Sequence, residues 1–315
     1  MHVSLTPVAV VGAGALGCFF GGMLARAGAP VTLVGRAAHV AAIRRDGLVF
    51  ESGAGKGAIP LAATEDMAAV RGAALVLFCV KSADTDTAAS AMAPYLSDTA
   101  IVLSLQNAVD NVERIRARID NQVFPALVYV AAEMAAAGHV RHTGGGNLVI
   151  GGLRAFARPD GSDGPRLEAI AALVAGAGIP VRISDEVEVE LWTKLVMNCA
   201  YNAISALGRA PYGEMVAVAE IRTIMSEAVR EVVAVAAAKG VLLPASIVDA
   251  AMKLADGMPV TMSSTAQDIR RGRRTEIDHL NGYVVREGDA RGIAVPVNRT
   301  LDALIKLLER RTAVS

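Results

Sequence analysis

The most constraining feature of this chain is the run Gly12-Ala13-Gly14-Ala15-Leu16-Gly17, which follows an apolar stretch ending at Val11 and opens an apolar helical pattern. Between a strand and a helix, the first glycine permits a tight turn. The second lets a phosphate approach the backbone, and the third lets helix and strand pack closely. The helix start adds free N–H groups and the positive end of the helix dipole. The spacing therefore predicts a dinucleotide-binding βαβ unit whose pyrophosphate loop is Gly12, Ala13, Gly14, Ala15, Leu16 and Gly17; the plainer alternative is an ordinary tight turn. The second strand ends at Gly35-Arg36. An acidic residue there would accept from a ribose 2′-hydroxyl, whereas Arg36 offers a fixed positive charge suited to a 2′-phosphate, with Arg44 and Arg45 nearby to add to the field. NADP is favoured over NAD and over flavin, against the alternative of a solvated arginine at a strand end.

The alternation continues beyond this unit. Strands are predicted at 7–12, 31–35, 75–80 and 100–105, and a helix at 15–27. A hairpin is predicted from 140–142 and 148–151, joined by Thr143-Gly144-Gly145-Gly146-Asn147, and a last strand at 181–183. Such a βαβ rhythm implies an α/β, Rossmann-type parallel sheet domain. From about Asp185 the strand signal vanishes, and helical patterns cover 186–207, 216–239, 244–255, 263–271, 276–291 and 298–310. The expected division is residues 1–184 for cofactor binding and residues 185–315 as an all-α substrate and catalytic domain.

Several classes are disfavoured. Lys plus Arg and Asp plus Glu both number 31, so neither nucleic acid nor an anionic membrane surface is expected as a partner. Hydrophobic residues reach 53%, yet the apolar stretches at 123–137 and 195–207 are short and carry Glu133, Asn198 and Asn202, so no membrane span is expected. The N-terminus lacks the pattern of a secretory leader. Cys18, Cys79 and Cys199 have no metal or redox spacing, and the five histidines form no ligand pair. No metal and a reducing, cytoplasmic setting are expected. Ala- and Val-rich helix faces would tolerate a homodimer without demanding one.

Lys194, Asn198 and Asn202 recur at i, i+4 and i+8 and so share one face of a helix, among the apolar neighbours Leu195, Val196, Met197, Cys199, Ala200, Ala203 and Ile204. A polar stripe in such surroundings needs partners or a ligand, because unpaired buried polar groups are costly. A structural network would also satisfy it. A positioned lysine is suited to stabilise charge growing on a carbonyl oxygen and to donate a proton there, and partial desolvation would ease that donation. The two amides suit hydroxyl or carboxylate groups. Ser264 could bind a carboxylate by its hydroxyl and as a helix N-cap, and Glu276 could orient Lys194 or accept a substrate hydroxyl; a cap and a solvated ion-pair face are the plainer readings of that stretch. Lys81 and Asn107 follow strands, where doubly wound sheets bind ligands, although a loop or capping role is as natural.

The motifs together resemble the ketopantoate reductase family. They are GAGALG from Gly12, Arg36, CVKS from Cys79, LQNAVDN from Leu105, VRHTGGG from Val140, LWTKLVMNCAYNAISAL from Leu191 and SSTAQDIRRGRRTEIDHLNGYVV from Ser263. The resemblance implies a Rossmann domain joined to a 6-phosphogluconate-dehydrogenase-like helical domain, and NADPH-dependent reduction of ketopantoate to pantoate on the way to pantothenate and coenzyme A. It implies Lys194 as proton donor and Asn198, Asn202 and Ser264 as substrate ligands. Asn107 would serve substrate and cofactor, Lys81 and Glu276 would lie near the NADPH, and Arg36 would meet its 2′-phosphate. Some members place an asparagine after the Lys–Asn helix, where this chain has Tyr212. The alternatives are a reductase of another small 2-keto acid in the same family, and a non-catalytic NADP-binding sensor, which would have no need of the Lys194 stripe.

Overall fold

The computed structural model describes residues 6–158 and 160–312. The chain divides between Val187 and Glu188 into two compact units. The first begins β1 (Val8–Val11), α1 (Ala15–Arg26), β2 (Val31–Val34), α2 (Ala37–Asp46), β3 (Leu48–Ser52), β4 (Gly55–Ile59) and β5 (Ala62–Thr64). It continues with β6 (Leu75–Phe78), α3 (Thr85–Met92), β7 (Ile101–Ser104), α4 (Asn111–Arg116), β8 (Gln122–Ala136), β9 (His139–Ile150), α5 (Asp163–Gly176) and β10 (Val181–Ile183). The sheet runs β4-β3-β9-β8-β7-β6-β1-β2-β5, with β10 also paired to β9.

From β8 through β5 every pairing is parallel, and β1 lies between β2 and β6 with Val8 opposite both Val31 and Leu75. The connections leave β1 first toward β2 and later toward β6, which makes the carboxyl end of β1 a topological switch point. All residues of β1 and β6 are buried. Strands covered on both faces lose the polar alternation of a half-exposed strand, which is why VAVV and LVLF read as unbroken apolar runs. Phe19, Phe20 and Leu24 of α1 share the core with Leu33, Leu77, Leu103 and Phe124.

The predicted hairpin is corrected. Residues 143–147 make no turn; they lie inside β9, a single strand antiparallel to β8, and the chain reverses at Ala137-Gly138. The glycines accompany register shifts between Tyr129 and Val130 and between Ala131 and Ala132. Gly145 has φ +69° and backs so closely onto β8 that a Cβ would lie 2.3 Å from the Tyr129 carbonyl oxygen. Glycine here serves irregular strand pairing rather than chain reversal. The sequence reading also passed over β3, β4 and β5. β4 is GKGAI, with only Ile59 buried, so it carries almost no apolar signal.

The second unit is helical: α6 (Val187–Gly208), α7 (Tyr212–Ala217), α8 (Ala219–Ala238), α9 (Ile247–Gly257), α10 (Ser264–Arg270), α11 (Asn281–Arg291) and α12 (Pro296–Thr312). The pattern predicted over 216–239 breaks at Val218, which is extended. That predicted over 276–291 starts with a 3-10 turn, Ile277–His279. On α8, Met225, Ala228, Val229, Val232, Val235 and Ala236 are buried, at the spacing of one helical face. No helix among the described residues is long and apolar enough to cross a membrane.

A polar relay ties four of these helices together. The Asn281 amide of α11 donates to the Cys199 carbonyl of α6 (3.2 Å) and to Asn298 Oδ1 (2.9 Å). Asn298 Nδ2 donates to the Ala228 carbonyl (3.0 Å) and to Glu231 Oε2 (2.7 Å) on α8. The Glu231 carboxylate in turn accepts from the backbone N–H groups of Val297 (2.8 Å) and Asn298 (2.9 Å). One side chain thus satisfies two orphan donors at the start of α12 and complements its dipole. Glu231→Ala is expected to lower the unfolding free energy by about 2–3 kcal/mol, read from urea denaturation; a change below about 0.5 kcal/mol would show that the relay is dispensable.

Candidate active site

At the carboxyl end of β1 the backbone folds back under α1. Gly12 has φ +110°, and a Cβ there would lie 2.7 Å from the Val80 nitrogen. A Cβ on Gly17 would lie 2.1 Å from the Gly12 carbonyl oxygen. These positions admit glycine alone, since the atoms in the way are backbone. Gly14 differs: a Cβ would meet nothing within 4 Å, so open space lies over the residue that caps α1. The first turn of α1 contains no acidic side chain. A crowded floor, an open mouth and unopposed N–H groups suit a bound pyrophosphate.

The other candidates of this unit stand at the same end of neighbouring strands. Arg36 follows β2, is exposed, and forms the N-cap position of α2. Arg44 and Arg45 do not join it. Arg44 donates to the Ala63 carbonyl (2.7 Å), and Arg45 pairs with Asp46 (2.6 Å). Lys81 follows β6 and is exposed; Asn107 follows β7 and is half-buried. The Asn107 carbonyl accepts from Ser82 Oγ (3.1 Å) and from the Asn111 amide. The next residue, Ala108, holds φ +79° without being glycine.

In the helical unit α6 carries Lys194, Asn198 and Asn202 along one face. Lys194 and Asn198 are half-buried and Asn202 is buried. Asn202 Nδ2 lies 3.5 Å from Asn198 Oδ1, a contact at the limit of hydrogen bonding. Burial pulls the Lys194 ammonium down to about 8, while the charge of the Glu276 carboxylate opposes the fall.

Two expectations change here. The N-cap of α10 is Ser263, not Ser264: its Oγ accepts from the Ala266 N–H (3.0 Å) and donates to the Asn202 carbonyl (3.0 Å), which pins α10 to α6. Ser264, the first residue of α10, is exposed, and its hydroxyl does no capping. Tyr212 does not stand in for an amide. It is buried, its ring centroid 4.5 Å from that of Tyr201, and burial pushes its hydroxyl up to about 12. Tyr201 is fully buried and donates to the Ala251 carbonyl (2.7 Å). Ser263 and the polar residues around Asn107 were missed. Their one sequence signal is polarity directly after a strand or before a helix.

Residues 8–155 match the family described as "Ketopantoate reductase PanE/ApbA", and residues 186–309 match "Ketopantoate reductase PanE/ApbA C terminal". The 2-dehydropantoate 2-reductase of Halobacterium salinarum is 35% identical over 307 residues, 96% of this chain and 99% of the relative. A crystal structure of a PanE/ApbA family ketopantoate reductase from Ralstonia eutropha JMP134 is 49% identical, with a TM-score of 0.89 over 97% of this chain and 99% of the other. A D-mandelate dehydrogenase, in a ternary structure with NADH and anilino(oxo)acetate, reaches the same TM-score of 0.89 at 23% identity over 97% and 99%, a likeness of fold. Fold and relatives together define a Rossmann-type oxidoreductase with a helical second domain. The chain belongs to the ketopantoate reductase family.

The left-handed Ala108 costs backbone energy that glycine would not. Ala108→Gly is expected to stabilise the protein by about 1 kcal/mol, seen as a higher unfolding temperature. An unchanged or lower temperature would mean that the loop carries no strain there.

Proposed function

We propose that this protein is an NADPH-dependent reductase of a small 2-keto acid, ketopantoate foremost, yielding the 2-hydroxy acid pantoate. One observation carries the reading: a half-buried lysine, its ammonium pulled down to about 8 by burial, on a helix face that also carries two amides. The curated relatives named 2-dehydropantoate 2-reductase support the substrate. Bound NADPH would supply the hydride that reaches the keto carbon.

The chain's own residues supply the rest. Gly12 through Gly17 and the N–H groups of α1 would hold the pyrophosphate, and Arg36 the 2′-phosphate. Lys194 Nζ neutralises charge on the keto oxygen and gives it a proton. Its lowered pKa makes donation easier than from an ordinary lysine while keeping the proton bound at neutral pH. Glu276 holds that pKa from falling further. Asn198 and Asn202 present amides to the hydroxyl and carboxylate of the substrate, Ser264 offers a hydroxyl not used in capping, and Asn107 and Lys81 serve substrate and cofactor beyond the carboxyl ends of β7 and β6. A panel of branched 2-keto acids with NADPH tests the substrate directly; ketopantoate among the poorest would reject it.

The acid role fixes a pH dependence. A protonated Lys194 is required for reduction, so kcat/KM should fall as pH rises through about 8. Glu276→Gln removes the charge that raises this pKa and should move the fall to lower pH. Lys194→Ala should lower kcat/KM by about 10²–10⁴-fold with NADPH still bound. A pH profile unmoved by Glu276→Gln, or full turnover in Lys194→Ala, would reject the assignment.

The 2′-phosphate role is tested separately. Arg36→Glu should weaken NADPH binding by about a hundredfold and NADH binding far less, as measured by fluorescence titration. Equal losses for both would remove Arg36 from phosphate recognition.

A further inference from the structure

The loops after β6 and β7 are joined by a buried polar circuit whose members have no part in the chemistry above. At its centre is Gln106. Its Nε2 donates to the Val80 carbonyl (3.0 Å), the residue before Lys81, and to Thr85 Oγ1 (2.7 Å). Its Oε1 accepts from Ser104 Oγ (3.1 Å). Thr85 Oγ1 in turn donates to Asn111 Oδ1 (3.0 Å). Asn111 Nδ2 then donates to Ser82 Oγ (3.2 Å) and to the Asn107 carbonyl, which also accepts from Ser82 Oγ (3.1 Å). Ser82, Thr85, Ser104, Gln106 and Asn111 are all buried.

The bookkeeping of donors and acceptors is closed. Both amide hydrogens and the oxygen of Gln106 are used, as are those of Asn111. A fully satisfied buried network holds one geometry, and removing one hydroxyl leaves its partners orphaned at a desolvation cost. Here that geometry has a definite output. Two donors converge on the Asn107 carbonyl and fix the plane of the peptide between Asn107 and Ala108, while Ala108 is kept in the left-handed region. One end of the circuit grips the residue before Lys81; the other grips Asn107 itself.

We propose that Gln106, Thr85 and Asn111 are positioning residues that lock the two loops together and so aim Asn107 and seat Lys81. The proposal rests on the reading of Asn107 as a substrate and cofactor ligand. It goes further by saying what holds that ligand in place, and it assigns Gln106 and Asn111 of the LQNAVDN motif to aiming rather than to contact with substrate.

The experiment compares Thr85→Val, which keeps the shape and deletes the hydroxyl, with Thr85→Ser, which keeps the hydroxyl. Each is made in the full chain with and without Asn107→Ala. kcat and KM for ketopantoate, NADPH binding by fluorescence and the unfolding temperature are measured for every variant. Thr85→Val should lower kcat/KM by about tenfold to a hundredfold, since misplacing a ligand by about 1 Å has that effect. Thr85→Ser should restore it to within about threefold of the parent, and in the Asn107→Ala background Thr85→Val should add less than about threefold. Losses that multiply in the double variant, or wild-type kcat/KM in a folded Thr85→Val protein, overturn the positioning role while leaving Asn107 as a ligand. An Asn107→Ala variant with unchanged kcat/KM overturns the Asn107 reading and this proposal with it. Should Thr85→Val fail to fold, Ser82→Ala deletes one donor to the Asn107 carbonyl and takes its place in the same cycle. A severalfold loss that vanishes in the Asn107→Ala background supports the proposal, and no loss overturns it.

Discussion

The first unit depends on how closely α1 approaches the turn beneath it. Only a hydrogen fits between the Gly17 α-carbon and the Gly12 carbonyl oxygen, and only a hydrogen fits between Gly12 and the backbone at Cys79 and Val80. Those two approaches set the distance of α1 from β1 and of β1 from the loop that carries Lys81. The parallel core around Phe20, Leu33 and Leu77 packs onto the helix so placed. A methyl group at either glycine would push backbone against backbone, where no side chain can yield.

The helical unit solves a different problem. It must carry a polar stripe on a helix with many buried apolar residues, and it does so by separating the demands made on α6. Tyr201, Leu195, Val196 and Cys199 bury themselves among neighbouring helices. The main chain of the same helix accepts from Asn281 at Cys199 and from Ser263 at Asn202. The helix is therefore anchored in part through its carbonyls, without drawing on the side chains of Lys194 and Asn198 for those two bonds.

Legibility in the sequence followed burial. The strands covered on both faces announced themselves as apolar runs, and Gly12 through Gly17 as a spacing that few other structures require. The Lys194 stripe stood out because three polar residues repeat at a helical interval among apolar ones. What escaped had no such contrast. β4 is short and exposed, and Gly144-Gly145-Gly146 looks like a turn unless the partner strand is known, because a glycine demanded by irregular pairing and one demanded by reversal are the same letter. Ser263 and Ser264 are identical residues side by side, and only their backbone angles decide which one caps. Tyr212, expected to take the place of an amide, instead sets its ring against Tyr201 in the core. The circuit around Gln106 joins residues more than twenty positions apart, a relation that local pattern cannot express.

The place of β9 bears on how the first unit is assembled. Among the described residues β3 and β4 meet the rest of the sheet only through β9, and the side-chain bonds from Glu51 to His139 and Arg141 span about ninety residues of chain. On the ribosome the β3–β4 ribbon is therefore made long before its docking strand emerges. Until then Phe50 and the unpaired edge of β3 are open to other nascent chains, so chaperone demand should concentrate in that interval of synthesis.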